Sequence, residues 1–242
     1  METLTIDNLN VVIDLLKKDR ERNISILNFI ETYAHQSYER VGNSVLLRGV
    51  SDHPWVFISS DSRAELRQLA ARLTKEDINF AAIEDWMISL LTGNRKLAWD
   101  LNLIQFILPK HVHLLKPLYP HVSLNIADAL YIYENSDYQI YLSVEYVEDR
   151  ISRGPSVAIY EKDRLVAWAL TQDDGAIGFL HVLESHRKKG YGHQIILGLS
   201  EQLKNQGKRP FAYIKKENSR SIKLFRKLGF IEQKQIHWFK LA

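Results

Sequence analysis

Six residues, Arg187-Lys188-Lys189-Gly190-Tyr191-Gly192, constrain this chain more than any other stretch. They follow an apolar run, Ile177 to Leu183, that reads as a strand, and precede a helical pattern from His193 to Leu203. A strand, a glycine-punctuated turn and a helix start make a phosphate cradle. Glycine lets backbone approach a ligand closely, and the open N–H groups of a helix N-terminus favour anions. Three neighbouring cations supply charge of the right sign. A second motif follows, Asn218-Ser219-Arg220-Ser221 and then Leu224-Phe225-Arg226-Lys227-Leu228-Gly229-Phe230, and the pair is far more specific than either half.

At these residues the chain resembles the GNAT superfamily of N-acetyltransferases. That superfamily has an Arg/Gln-x-x-Gly-x-Gly/Ala turn for the pyrophosphate of acyl-CoA and, further on, an Asn-x-x-Ser/Ala helix ending in Leu-Gly-Phe. Within it, Val166-Ala167-Trp168-Ala169-Leu170 before an acidic turn, then the Gly175 strand, is similar to the glycine N-acyltransferase group. The N-terminal half is distantly similar to the same group around Gly42-Asn43-Ser44 and Trp55-Val56-Phe57. The specific motifs span Val157 to Phe230. The resemblance implies an α/β (α+β) fold: a mixed, mostly antiparallel sheet flanked by helices.

The order of elements agrees. Apolar positions at helical spacing run from Leu9 to Gln36, with a break near Arg22-Asn23. Ser44–Val50 and Trp55–Ser59 read as a hairpin, Asp61 to Leu73 as a capped helix, Asn79–Ala82 as a strand and Glu84–Leu91 as a helix. Lys96 to Leu108 reads as one or two strands. Proline-containing Pro109 to Pro120, with His111, His113 and His121 nearby, is the expected connection. We therefore expect an N-terminal α/β domain over 1–120, a degenerate second copy of the same fold, and a GNAT domain over 121–242. The latter reads as helices at Ala127–Glu134 and Ser143–Arg153, then strands at Ser156–Tyr160 and Leu165–Leu170. A hairpin at Asp173-Asp174-Gly175 leads into the strand ending at Leu183, and the motif helices and strands follow. Only the second half has the cradle, so one cofactor site is expected.

Charge supports that division. Residues 1–120 hold 14 basic and 15 acidic side chains, whereas residues 184–242 hold 14 basic and 4 acidic. A basic cluster suits a polyanionic cofactor, a nucleic acid or an acidic membrane. No nucleic-acid-binding signature accompanies it, and the longest apolar runs are too short to cross a bilayer. Neither nucleic acid nor membrane is an expected partner. The chain has no cysteine, which removes disulfides, thiolate nucleophiles and cysteine metal sites and agrees with a reducing compartment. Met1 leads into a polar segment with no secretory pattern, so the cytoplasm is the expected location. His111-x-His113 has no third ligand at metal-site spacing, and no metal is expected.

Acyl transfer to an amine needs a seat for the pyrophosphate, a channel for the pantetheine, donors for the developing oxyanion, and a neutral amine. The resemblance implies that Arg187, Lys188, Lys189, Gly190, Tyr191 and Gly192 seat the pyrophosphate. It implies that backbone groups of Leu180 to Val182 pair with the pantetheine, where two strands splay apart, and that an N–H near Val182 faces the thioester oxygen. By resemblance Asn218 and Ser221 touch the pantetheine arm. Asn218 is also a natural helix cap. Phe225 stands where many relatives carry a tyrosine that protonates the thiolate, and phenylalanine cannot do so. It either packs on the cofactor or belongs to the core. Ala176 stands where several groups carry a catalytic glutamate, eleven residues before the turn arginine. The base is then open among His181, Tyr213, Glu217 and the Asp173-Asp174 pair, with a water relay or an already neutral amine as further routes. His181 has the intrinsic pKa for the role.

The leading expectation is an N-acyltransferase using acetyl-CoA or another acyl-CoA as co-substrate. The acceptor would be the primary amine of a small molecule or amino acid, and a homodimer is allowed for. The alternative, motivated by Ala176 and Phe225, is a GNAT-fold module that binds acyl-CoA without chemistry.

Overall fold

The computed structural model of the protein describes residues 6–118 and 122–242. His121 and the junction expected between residues 120 and 121 lie outside the described residues. In chain order the first elements are α1 (Ile6–Lys17), α2 (Ile24–Thr32), β1 (His35–Val41), β2 (Ser44–Val50), β3 (Pro54–Ser59), α3 (Arg63–Ala70), β4 (Asn79–Glu84), α4 (Ile88–Thr92) and β5 (Leu97–Ile107). Then come α5 (Ala129–Glu134), α6 (Val144–Arg153), β6 (Ser156–Glu161), β7 (Arg164–Thr171), β8 (Ile177–Val182), α7 (Tyr191–Asn205), β9 (Phe211–Lys215), α8 (Ser219–Lys227) and β10 (Ile231–Leu241). These form two compact units, one reaching to Ile104 and including Lys234–Ala242, the other Gln105–Gln233. The last strand, β10, thus largely completes the first unit.

In the first unit β1, β2 and β3 form an antiparallel meander. Its first turn is Gly42-Asn43, with Gly42 at φ +56°, a conformation that costs glycine nothing. α3 follows, then β4 lies parallel to β3 at Val56↔Phe80 and Phe57↔Ala81. β10 pairs with β4 in antiparallel register. Leu46, Val56, Leu66, Leu69, Ile83 and Phe239 are buried in one cluster, and the Phe80 and Phe239 rings stack at 4.7 Å.

One element differs from the sequence reading. The helix expected to run to Gln36 stops at Thr32, and His35–Val41 is a strand. Its polar residues show no clean alternation because it has one partner strand and sits mostly half-exposed. Cross-strand pairing supplies what propensity does not: Arg48 of β2 holds Glu39 of β1 at 2.8 Å.

In the second unit β6, β7 and β8 form another antiparallel meander, α7 follows, and β9 runs parallel to β8. α6 begins on Ser143, whose hydroxyl accepts from the Tyr146 N–H at 3.1 Å, and buries Tyr146, Val147 and Arg150. α7 turns Ile195, Ile196, Leu199 and Leu203 inward at helical spacing. Leu124, Ile132, Val147, Val166, Trp168 and Leu170 form this unit's core. Trp168 is 1% exposed, and truncating such a ring costs about 3–5 kcal/mol. The sequence of two helices, three-strand meander, helix and parallel strand occurs once in each unit. Among the described residues no helix is long and apolar enough to cross a membrane.

Candidate active site

The site is built where β8 leaves its neighbours. β8 pairs with β7 at Thr171↔Ile177, Leu170↔Gly178, Trp168↔His181 and Ala167↔Val182. The register shifts between Trp168 and Leu170, so β8 carries an extra residue there. Phe179 adopts φ +53°, an uncommon conformation for an aromatic residue and the mark of a bulge. On its other side β8 registers with β9 only at Ile177↔Ala212. The rest of β8, including Leu180, His181 and Val182, continues without a registered β9 partner.

Beyond β8 the chain makes a short 3-10 turn over Glu184–His186 and enters the glycine turn. Lys188 at φ +65° and Gly190 at φ +86° are both left-handed. Gly190 is the residue before α7, and among the described residues no side chain caps that helix. A side chain on Gly190 would meet nothing within 4 Å, so its conformation, not crowding, calls for glycine. A Cβ on Gly192 would lie 3.8 Å from Val182 and 3.5 Å from Leu224 of α8. The turn, the end of β8 and α8 therefore converge at one place. Arg187, Lys188 and Lys189 are exposed there. The Arg187 guanidinium donates to the Val182 carbonyl at 3.3 Å and pairs with Glu184 at 3.4 Å.

Asn218 caps α8, its side chain accepting from the Ser221 N–H at 3.1 Å. Ser221 is half-buried. Phe225 is buried and lies edge-on to Phe230 at 4.9 Å, with Phe106 at 6.5 Å. It is part of the core. Tyr213 is half-buried on β9 and packs edge-on against Phe211.

The remaining candidate bases are dispersed. His181 is half-buried and stacks on Trp168 at 4.6 Å. Burial pushes its pKa below the usual histidine value, with Arg187 acting in the same direction and Asp137 against. Asp173 and Asp174 are buried at the opposite end of β8. The Asp174 N–H donates to Asp173 Oδ1, and the Ala176 N–H donates to Asp174 Oδ1, each at 3.0 Å. They close the hairpin around Ala176. Glu217 is exposed ahead of α8.

Two features were not read from sequence. The Phe179 bulge has no signature, since a phenylalanine in an apolar run looks like any strand residue. Glu161, at the tip of the β6–β7 hairpin, accepts from the Tyr191 hydroxyl and stands 3.5 Å from the Lys189 ammonium. From sequence Glu161 reads only as part of the Glu161-Lys162-Asp163 turn between two strands. Among the described residues no group of three or more His, Asp or Glu could hold a metal ion.

Residues 156–239 match the FR47-like protein family. Over 84 residues the chain is 34% identical to the uncharacterized N-acetyltransferase YobR of Bacillus subtilis, covering 33% of this chain and 34% of that protein. The chain thus matches about a third of that relative's length. A Drosophila protein of known structure superimposes with a TM-score of 0.83 at 15% identity, covering 99% of this chain and 97% of that one. A GCN5-related N-acetyltransferase from Kribbella flavida gives 0.55 at 15% identity, with 91% and 94% covered. A GCN5-related N-acetyltransferase-like protein of Streptococcus suis gives 0.52 at 13%, with 94% and 98% covered. At such identities the likeness is one of fold, the GNAT fold. The chain thus has the GNAT fold, and its residues 156–239 match the FR47-like family and a segment of a protein named as an N-acetyltransferase.

Proposed function

We propose that the protein transfers an acyl group, acetyl in the first instance, from coenzyme A to the primary amine of a small molecule or amino acid. The observation that carries this reading is the opening between β8 and β9 beside an uncapped helix start: one registered pair, then a free strand edge leading to Gly190. An extended amide-bearing arm can use such an edge as a neighbouring strand would. The first-turn N–H groups of α7 and the cations Arg187 to Lys189 suit its pyrophosphate.

In this reading backbone of Leu180 and Val182 pairs with the pantetheine, Asn218 and Ser221 border it, and a β8 N–H donates to the oxygen that becomes the oxyanion. Phe225 supports the site from the core. The amine's proton goes to His181, which burial keeps neutral near pH 7 and therefore able to accept. The amine nitrogen attacks the thioester carbon, the C–S bond breaks, and the thiolate leaves without a dedicated acid. Tyr213 on the neighbouring strand is the second candidate for proton transfer. The Val166–Leu170 pattern and the turn that follows support an activity like that of the glycine N-acyltransferases. A cytoplasmic location, an assignment of residues 1–120 and 121–242 as separate domains, and a homodimer belong to the same proposal. The non-catalytic alternative is disfavoured by the match to a protein named as an N-acetyltransferase.

Calorimetric titration with acetyl-CoA and a bulkier acyl-CoA, followed by thiol release across an amine panel, tests the reading. Saturable binding with amine-dependent thiol release is expected. Absence of binding to both thioesters overturns it, and binding without thiol release for any amine returns the non-catalytic module.

A further inference from the structure

Glu161 lies outside both motifs, yet it touches the cradle at three points. The Tyr191 hydroxyl donates to its Oε1. The Lys189 ammonium lies 3.5 Å from the same oxygen, and His186 Nε2 lies 3.4 Å from Oε2. His186 precedes the glycine turn, Lys189 is inside it, and Tyr191 opens α7. One carboxylate therefore ties the turn's entrance, middle and exit to the tip of the β6–β7 hairpin. The Lys189 ammonium is placed from two sides, by Glu161 and by the Tyr191 ring, whose centroid is 5.8 Å away.

An acid beside a phosphate seat repels the ligand, so its presence calls for an offsetting gain. The turn supplies the reason. Two of its residues sit in left-handed conformations, one of them the non-glycine Lys188, and a loop left free would lose that arrangement to entropy on every opening. Holding it before the ligand arrives removes an ordering cost that binding would otherwise bear.

We propose that Glu161 is a positioning residue of the coenzyme A cradle, holding the turn in its ligand-ready form through Tyr191 and Lys189. The inference rests on the acyl-CoA reading above. It is tested by calorimetric titration of coenzyme A into the wild type and the Glu161→Ala, Glu161→Gln and Tyr191→Phe variants, with circular dichroism to verify folding. Glu161→Ala should weaken binding about tenfold. Glu161→Gln, which keeps an acceptor for the Tyr191 hydroxyl, should recover part of that. Tyr191→Phe removes the same bond from the other side and should cost about threefold, and combined with Glu161→Ala it should add nothing further. Should Glu161→Ala fail to fold, Tyr191→Phe alone decides. Unchanged or tighter binding in a folded Glu161→Ala or Tyr191→Phe variant, with the wild type binding normally, overturns the positioning role and leaves the acyl-CoA reading standing. A wild type that does not bind coenzyme A sinks both.

Discussion

The two units repeat one order of elements and differ at one kind of place, the start of the helix that follows the meander. In the first unit α3 is capped by Ser62, whose hydroxyl accepts from the Glu65 N–H at 3.3 Å. The Glu65 carboxylate then accepts from the Asn43 N–H at 3.1 Å and the Ser44 hydroxyl at 2.7 Å. That helix start is consumed by its own chain and carries an acid in its first turn. In the second unit α7 starts on a left-handed glycine, with no capping side chain among the described residues and no acid in its first turn. The flanking strands follow suit: β3 and β4 register at two pairs, β8 and β9 at one. Charge is deployed differently as well. The first unit ties Arg48 between Asp77 and Glu39 and Glu84 between Arg22 and Lys234 in half-buried pairs, whereas Arg187, Lys188 and Lys189 are exposed, with Arg187 beside Glu184 and Lys189 beside Glu161 at the surface. One order of elements thus occurs once with the helix start satisfied internally and once with it open, and in the proposed function the open one takes the ligand.

The largest expected effect tests whether the open unit also holds the chemistry. Replacing His181 with Gln should lower kcat by about 10²–10⁴, the usual range for a lost general base, with the affinity for acetyl-CoA little changed. Wild-type turnover should rise with pH as His181 loses its proton. Because burial lowers that pKa, the midpoint of the rise should fall below the ordinary histidine value and vanish in the variant. A rate profile unaffected by the substitution would reduce His181 to a packing partner of Trp168.

The next effect belongs to the closed unit. Glu84 accepts from Arg22 Nε at 2.7 Å, from Lys234 at 2.9 Å and from Trp86 Nε1 at 3.0 Å. Burial alone would raise its pKa, but Arg22 and Lys234 outweigh that and bring it down to about 2. Replacing Glu84 with Gln leaves Lys234 and Arg22 without their counter-charge and should cost about 3–5 kcal/mol, as breaking a buried pair does, read as a lower urea midpoint. A depressed carboxylate pKa stabilises the fold above its unfolded value. Wild-type stability should therefore drop as pH falls from about 4.5 toward about 2, and the variant should lose that part of the slope.

A third variant closes the open helix start. Gly190→Val places a β-branched residue at φ +86°, which costs roughly 1–2 kcal/mol of stability and puts a side chain where a ligand would approach the backbone. Coenzyme A affinity should fall ten- to hundredfold by calorimetry. Since the first unit already has its helix start occupied, the wild type should bind one coenzyme A per chain, and a stoichiometry of two would break the comparison outright.

How much of this was legible depended on the kind of signal. The turn from Arg187 to Gly192 and the helix from Asn218 could be read because backbone geometry and capping select particular residues. The hairpin at Asp173-Asp174-Gly175 could be read for the same reason. β1 could not, because His35–Val41 is an edge strand held by pairing and the Arg48–Glu39 contact rather than by an apolar pattern. Phe225 left two readings open, and its contact with Phe230 and burial place it in the core. The Phe179 bulge and the Glu161 contacts depend on residues brought together across strands, which no local pattern encodes. The strand exchange was likewise hidden: nothing in residues 234–241 says that they pair with Asn79–Glu84.

The smallest effect separates the two helix caps. Ser62 and Asn218 each accept one backbone N–H at the start of a helix, and loss of either cap should cost about 1 kcal/mol. Ser62→Ala and Asn218→Ala should therefore lower the unfolding midpoint by similar amounts. They should part company in binding. The start of α3 is filled by its own chain, so Ser62→Ala should leave the affinity for coenzyme A unchanged. Asn218 uses its side-chain oxygen on the Ser221 N–H, and its amide nitrogen remains available to a carbonyl of the pantetheine arm, so Asn218→Ala should weaken coenzyme A binding by about three- to tenfold, the worth of one hydrogen bond. Equal binding by the two variants would make Asn218 a cap and nothing more, and the two helices would then differ only in the turn that precedes them.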